Sequence, residues 1–270
     1  MIAYPLTKIN IGLYITGKRA DGYHNIDTAF YPTPWCDALE IVPADEFSFH
    51  STGLAIEGAP EDNLVVRAYR LLSGRHSLPP IAIHLHKNVP TGAGLGGGSS
   101  DGATALRMLN SIFRLNLPQE RIAEYALQLG SDCPFFIESK PALASGRGEI
   151  LQKIPLALNG LHIAIVKPPI HSSTAEAYRH ITPAQLRIPL IRLLRFPISL
   201  WPGNIINQFE PYVFSMYPEV ARIKQTLYDQ GALFALMSGS GASVFGLFNR
   251  NIPAISQLFP PDYAVFQGEL

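Results

Sequence analysis

Pro90-Thr91-Gly92-Ala93-Gly94-Leu95-Gly96-Gly97-Gly98-Ser99-Ser100-Asp101 is the stretch from which the rest of this chain is read. Five glycines fall within seven residues, two serines follow, and a helical pattern begins at once, with Leu106, Leu109, Ile112 and Phe113 three and four apart. Glycines at this density let backbone come close to a bulky anion and turn its N–H groups toward it. A helix starting there adds the positive end of its dipole. The stretch reads as a phosphate cradle.

Three other readings compete. The P-loop requires Gly-Lys-Ser/Thr after its glycines, and Gly97-Gly98-Ser99 contains no lysine. Gly92-x-Gly94-x-x-Gly97 satisfies the dinucleotide fingerprint and stands between a strand pattern and a helix. No second strand ending in an acid follows, however; Asn116-Leu117-Pro118 leads to another helix. A flexible linker is seldom enclosed between a β-rich run and an amphipathic helix. A distinct kind of phosphate loop is favoured.

Composition sets the bounds. The 270 residues suffice for one large domain or two modest ones, and 47% hydrophobic content supports a real core. Lys+Arg and Asp+Glu both number 21, so there is no basic field for nucleic acid or membrane, and neither is expected as a partner. No apolar run has bilayer-spanning length and the N-terminus lacks a signal-peptide layout. Cys36 and Cys133 are the only cysteines, expected as two free thiols in a cytoplasmic protein. The eight histidines show no metal-ligand spacing; His84 and His86 are expected on a sheet surface.

Along the chain, 2–16 alternates as one strand, with Lys8, Asn10 and Gly12 on one face and Ile9, Ile11 and Leu13 on the other. A polar turn at 17–22 precedes Tyr23-His24, and strand patterns recur at 38–42, 47–51 and 81–87. Asp62-Asn63 caps a helix to about Leu72, and another helix over 119–129 stops at Gly130. A hairpin is expected over 142–153 around Gly146-Arg147-Gly148. Composition changes after Leu158. A strand at 161–166, a helix from Ser173-Thr174, a helix over 219–230 and a strand–turn–strand unit around Ser238-Gly239-Ser240-Gly241 follow. Residues 183–202 carry no clear pattern. The mixture implies an α+β protein of two lobes, 1–158 and 159–270.

The glycine-rich loop is similar to the ATP-phosphate loop of the GHMP kinase superfamily. Thr7-Lys8-Ile9-Asn10-Ile11 with Gly17-Lys18-Arg19-Ala20-Asp21-Gly22-Tyr23-His24, Gly130-Ser131-Asp132-Cys133-Pro134-Phe135-Phe136, and Met237-Ser238-Gly239-Ser240-Gly241-Ala242-Ser243-Val244-Phe245 narrow the resemblance. Together they resemble the members that phosphorylate 4-diphosphocytidyl-2-C-methyl-D-erythritol. Two departures are small: Tyr4-Pro5-Leu6-Thr7 replaces an alanine-containing lead-in, and Gly102 stands where alanine is usual.

The resemblance implies a ribosomal-protein-S5-like N-lobe that binds ATP and a ferredoxin-like C-lobe on the substrate side. It implies ATP and Mg²⁺, with no protein ligand for the metal named, a small cytidine-diphosphate alcohol as substrate, and a monomer or weak homodimer. Asp132 is the implied base for the substrate hydroxyl; locally it also reads as a helix N-cap. Lys8, whose bland reading is an edge-strand gatekeeper, is the implied electrostatic partner of that base. Asn10 is an implied substrate ligand on the same strand face. Tyr23 and Tyr178 are implied to stack on the cytosine and His24 to bond its edge, with Thr174 near the diphosphate. Pro90, Gly92, Gly94, Leu95, Gly96, Gly97, Gly98, Ser99 and Ser100 are implied for the ATP phosphates. Asn63 and Lys87 are implied near the adenosine, against the plainer readings of an N-cap and a solvated strand-end lysine. Ser238, Gly239, Ser240 and Gly241 are implied at the substrate-side phosphates. A kinase for another small alcohol, or a non-catalytic nucleotide-binding relative, would share the loop without needing Tyr23-His24.

Overall fold

A computed structural model describes residues 1–184, 186–252 and 254–270. In chain order the elements are β1 (Ile2–Ala3), β2 (Leu6–Lys18), β3 (His24–Cys36), β4 (Ala38–Pro43), β5 (Ser48–Gly53), α1 (Leu64–His76), β6 (Ile81–Lys87), α2 (Gly97–Ile112), α3 (Gln119–Leu129) and α4 (Phe135–Glu138). There follow β7 (Ala142–Ser145), β8 (Ile150–Lys153), β9 (His162–Lys167), α5 (Thr174–Arg179), α6 (Leu190–Leu193), α7 (Glu210–Met216), α8 (Pro218–Asp229), β10 (Phe234–Met237), β11 (Val244–Phe248) and β12 (Ala264–Glu269). They divide into two compact units.

One unit comprises Met1–Thr7, Trp35–Thr91 and Gly96–Lys140. Its sheet has the order β1-β4-β6-β5, with β4 antiparallel to β6 and β5 parallel to it. On β6 the buried positions alternate as Ile81, Ile83, Leu85 and Lys87, so strand parity carries the Lys87 side chain inward with three aliphatics. Gly102 has a packing reason: a Cβ there would lie 2.9 Å from Leu64 Cβ and 3.4 Å from Leu129 Cδ1, so its absence lets α1 and α3 close on α2. Asn63 caps α1, its Oδ1 accepting from Val65 N at 3.0 Å, and α1 runs on to His76.

The other unit comprises Lys8–Pro34, Gly92–Leu95 and Pro141–Leu270. It holds the sheet β2-β3-β7-β8 and the antiparallel sheet β10-β11-β9-β12. One face of the second sheet, from Ala164, Val166, Ala235, Met237, Val244 and Phe248, packs on Val220, Ile223 and Leu227 of α8. That periodicity makes α8 amphipathic and fixes which side it buries.

Several elements depart from the sequence reading. The single strand expected over 2–16 is broken at Tyr4-Pro5 into β1 and β2. β3 is a 13-residue strand that Pro32 and Pro34 disguise; both lie outside its ladder with β7, which uses Thr28 to Phe30. α7 and β12 lie where no element is expected. The hairpin over 142–153, the 119–129 helix and the strands flanking 238–241 stand as expected.

Candidate active site

The glycine loop leaves β6 at Lys87 and becomes helix at Gly97, with Gly96 as N-cap in the left-handed region at φ 69°. Ala93 and Leu95 are buried between the glycines and anchor the loop, and Lys8 N donates to Leu95 O at 2.9 Å. Gly94 has φ +75°, and a Cβ there would sit 2.1 Å from Ser238 O. Gly98 is different: its φ is ordinary and a Cβ would meet nothing within 4 Å. Within the chain, neither strain nor crowding demands glycine at 98.

Strand parity brings Lys8 and Asn10 together. Lys8 Nζ donates to Asn10 Oδ1 at 2.5 Å and to Gly94 O at 3.2 Å, and lies 4.9 Å from the centre of the Phe30 ring. Lys8 is 3% exposed, so it is no solvent-facing edge residue. Ser238, at the end of β10, donates from Oγ to Gly94 O at 2.9 Å and accepts from Asn10 N at 3.2 Å. Asn10 Nδ2 in turn donates to Thr28 Oγ1 at 3.0 Å. Asn207, which sequence reasoning missed, donates to Met237 O at 2.7 Å and Gly239 O at 2.8 Å and so sets the Ser238–Gly241 turn. No local pattern marks it, because its partners lie thirty residues away.

Next to that turn, Thr174 Oγ1 lies 2.7 Å from Ser240 Oγ, and Ser172 Oγ donates to Ser240 O at 2.8 Å. Ser173 caps α5, which carries Thr174 and Tyr178. The His24 and Tyr178 rings stack, with centroids 4.9 Å apart and planes 19° from parallel. Tyr23 is 56% exposed, and the Arg147 guanidinium lies 4.9 Å over its ring, a contact the sequence reading did not foresee.

Asp132 stands in the turn after Gly130, with its carbonyl accepting from Phe135 N. The residue at the N-cap of α4 is Pro134 and no side chain caps that helix, which corrects the local N-cap reading of Asp132. The Ser99 side chain, in the first turn of α2, pulls the Cys133 thiol down slightly against its burial. Burial pushes the Cys133 thiol up to about 12. Cys36 and Cys133 are both free, as expected. The solvated-lysine reading of Lys87 is overturned: its ammonium is buried between Asp37 and Asp101.

Family models for the N-terminal domain and the C-terminal part of GHMP kinases match residues 63–140 and 199–256. The 4-diphosphocytidyl-2-C-methyl-D-erythritol kinase of Bacteroides fragilis is 49% identical over 274 positions spanning the whole of both chains. The chain belongs to this kinase family. A crystal structure of a 4-(cytidine 5'-diphospho)-2C-methyl-D-erythritol kinase superposes with a TM-score of 0.78 at 31% identity, covering 92% of this chain and 90% of that one. Methanococcus jannaschii mevalonate kinase shares the fold alone, with a TM-score of 0.73 at 14% identity over 99% of this chain and 97% of the other. The α+β GHMP architecture is thereby established, and among the described residues no helix is long and apolar enough to cross a membrane.

Proposed function

We propose that this protein transfers the γ-phosphoryl group of ATP to the tertiary 2-hydroxyl of 4-diphosphocytidyl-2-C-methyl-D-erythritol, on the non-mevalonate route to isoprenoid precursors. The observation that carries the reading is the convergence of Lys8 and Ser238 on the Gly94 carbonyl, which ties the strand bearing the acceptor-side groups to the phosphate loop. The full-length identity to a named kinase of this substrate supports the choice of acceptor.

Backbone N–H groups from Gly92 to Ser99, with the serine hydroxyls, hold the phosphates at the α2 N-terminus, where the helix dipole favours an anion; the Ser100 N–H is used on Gly96 O. Asp132 takes the proton of the acceptor hydroxyl as its oxygen bonds to the γ-phosphorus. The bond from that phosphorus to the β–γ bridging oxygen breaks, and ADP leaves. Lys8 polarises the reacting oxygen, and Asn10 orients the acceptor. Tyr23, His24 and Tyr178 bind the cytosine, and Thr174 with Ser238 to Gly241 binds the substrate phosphates. Asn63 and Lys87 belong to the nucleotide end, Asn63 through its cap of α1. Mg²⁺ bound with ATP would neutralise charge on the triphosphate, held chiefly by the phosphate oxygens and retained waters. Functionally, residues 1–158 carry the phosphate loop and the catalytic residues, and 159–270 contribute Thr174, Tyr178 and the Ser238–Gly241 turn on the substrate side. Two free thiols suit a reducing cytoplasm.

ADP release from MgATP is the test, with the cytidyl compound compared against galactose, homoserine and mevalonate. Turnover of the cytidyl compound alone is expected; preference for another alcohol would move the protein to that acceptor. Asp132→Asn should lower kcat by about 10²–10⁴-fold with ATP affinity kept. Near-normal kcat would remove Asp132 from its role.

A further inference from the structure

A buried cluster of three charges lies just beneath the glycine loop. Lys87 Nζ bonds Asp37 Oδ2 and, at 2.8 Å, Asp101 Oδ2, and all three side chains are at most 3% exposed. Asp37 uses its other oxygen on the N–H groups of Asn88, at 2.7 Å, and Val89, at 2.9 Å. Asp101 Oδ1 is buried without a hydrogen-bond partner. Two carboxyl groups share one ammonium in a dry place, and the cluster carries a net negative charge once Asp101 ionises, above about pH 7. Replacing buried ion triads by apolar groups is often neutral or stabilising, so stability does not by itself account for this one.

What the cluster grips is more informative. Asn88 and Val89 immediately precede the loop, and Asp101 immediately follows it. Asp37 also approaches the loop's exit, its Oδ2 lying 3.7 Å from where a Cβ on Gly97 would be. One lysine therefore joins the strand end that enters the loop to the helix turn that leaves it. Both ends are held by charged hydrogen bonds, the strongest kind available to side chains.

We propose that Lys87, with Asp37 and Asp101, is a positioning clamp that sets the two ends of the phosphate loop and so aims its N–H groups, and that the Lys87 ammonium is not itself a nucleotide ligand. The inference rests on the reading of the loop as the ATP-phosphate site. It assigns a task to Asp37 and Asp101, both buried against Lys87, and changes the way in which Lys87 serves the nucleotide.

Charge balance gives the test. At pH 8, Lys87→Met leaves two carboxyl groups facing each other without a counter-ion, whereas Lys87→Met with Asp101→Leu returns the cluster to the single net negative charge of the wild type. MgATP affinity is read by calorimetry, and KM for the cytidyl substrate by turnover, below the melting temperature of every variant. In the clamp, Lys87→Met weakens MgATP by at least tenfold, and the double variant recovers at least fivefold of that. The acceptor KM stays within twofold throughout. If the ammonium touched ATP, the double variant would bind no better than Lys87→Met, and that result overturns the proposal. Should Lys87→Met fail to fold, Asp101→Leu and the isosteric Asp101→Asn take its place. MgATP should weaken at least fivefold in the first and less than threefold in the second, and equal, unchanged affinities overturn the clamp. Gly98→Ala separates the two layers. Unchanged MgATP affinity there refutes the loop reading itself; weakened affinity with no recovery in the double variant refutes only the clamp.

Discussion

Gly94→Ala puts a methyl group where the chain has no room for one. At φ +75° an alanine incurs about 1–2 kcal/mol for the left-handed conformation. Its Cβ would stand 2.1 Å from Ser238 O, so the Ser238 turn and the loop must part by more than about 1 Å before ordinary contact returns. That retreat stretches both bonds to Gly94 O, from Ser238 Oγ at 2.9 Å and from Lys8 Nζ at 3.2 Å. A neutral hydrogen bond is worth about 1 kcal/mol net and one from a charged donor about 2 kcal/mol. Together these give a destabilisation of about 4 kcal/mol, which lowers Tm by about 10 °C in a chain of this size. Displacement of a positioning loop by about 1 Å should cost kcat/KM about 100-fold. Gly92→Ala is the control. Its φ of +60° brings the same conformational cost, but the neighbour at 3.3 Å is the His171 ring, a side chain able to move. Calorimetric melting and coupled ADP release on both variants decide the matter. If Gly94→Ala melts within a degree of Gly92→Ala and turns over equally well, close backbone approach at Gly94 is not what holds this site together.

Asn63→Ala removes the bond to Val65 N and should cost about 1 kcal/mol, seen as a fall of a few degrees in Tm. A rise in ATP KM beyond that effect would show that Asn63 also touches the nucleotide. A maleimide should label one thiol per native chain and two after unfolding, because Cys36 is half-buried while Cys133 is buried with its thiol pushed up to about 12. Tyr178→Ala should raise KM for the cytidyl substrate at least tenfold with ATP KM unchanged; parallel changes in both would refute a base-stacking role. The Asp101 carboxyl is raised by burial and by Asp37, against the pull of Lys87, to about 7. The folded state then holds a proton there that the unfolded state gives up above its ordinary value of 3.8. Stability from this group is full below 3.8 and is lost as pH rises toward 7, by up to about 1.4 kcal/mol per pH unit. Urea unfolding at pH 5, 6 and 7 should show wild type losing ground to Asp101→Asn; parallel stability profiles would refute it.

Local chemistry made part of this site readable without coordinates. Alternation along β2 placed Lys8 and Asn10 on one face, and the structure bonds them directly. Asn63 announced its helix, and Gly130 ended α3. What escaped was set by distant partners. Asp37 acts on Asn88 and Val89, fifty-odd residues away, and Asn207 acts on a turn thirty residues further on, so neither stands in a pattern that a window of sequence can register. β3 escaped for the opposite reason: the local signal was present but pointed the wrong way, since its prolines ordinarily argue against a strand and here fall beyond the β7 ladder. The inward turn of Lys87 was implicit in the parity of β6, but a charged residue at a strand end is read as solvated unless its counter-ions are known.

The glycines of the loop are not one feature repeated. Gly94 is required from inside, because its conformation and the Ser238 carbonyl both reject a side chain. Gly98 is not required from inside at all. It stands in the first turn of α2 with ordinary φ and open space around a Cβ, where alanine would favour the helix by about 0.8–1.0 kcal/mol. A chain that accepts this cost with no internal return is leaving the space to something outside itself. At the positive end of a helix, between backbone N–H groups, what fits there is an anion. On the proposed function, Gly98, more than the density of glycine around it, leaves the room that the ATP phosphates need, and Gly98→Ala should stabilise the fold while weakening MgATP.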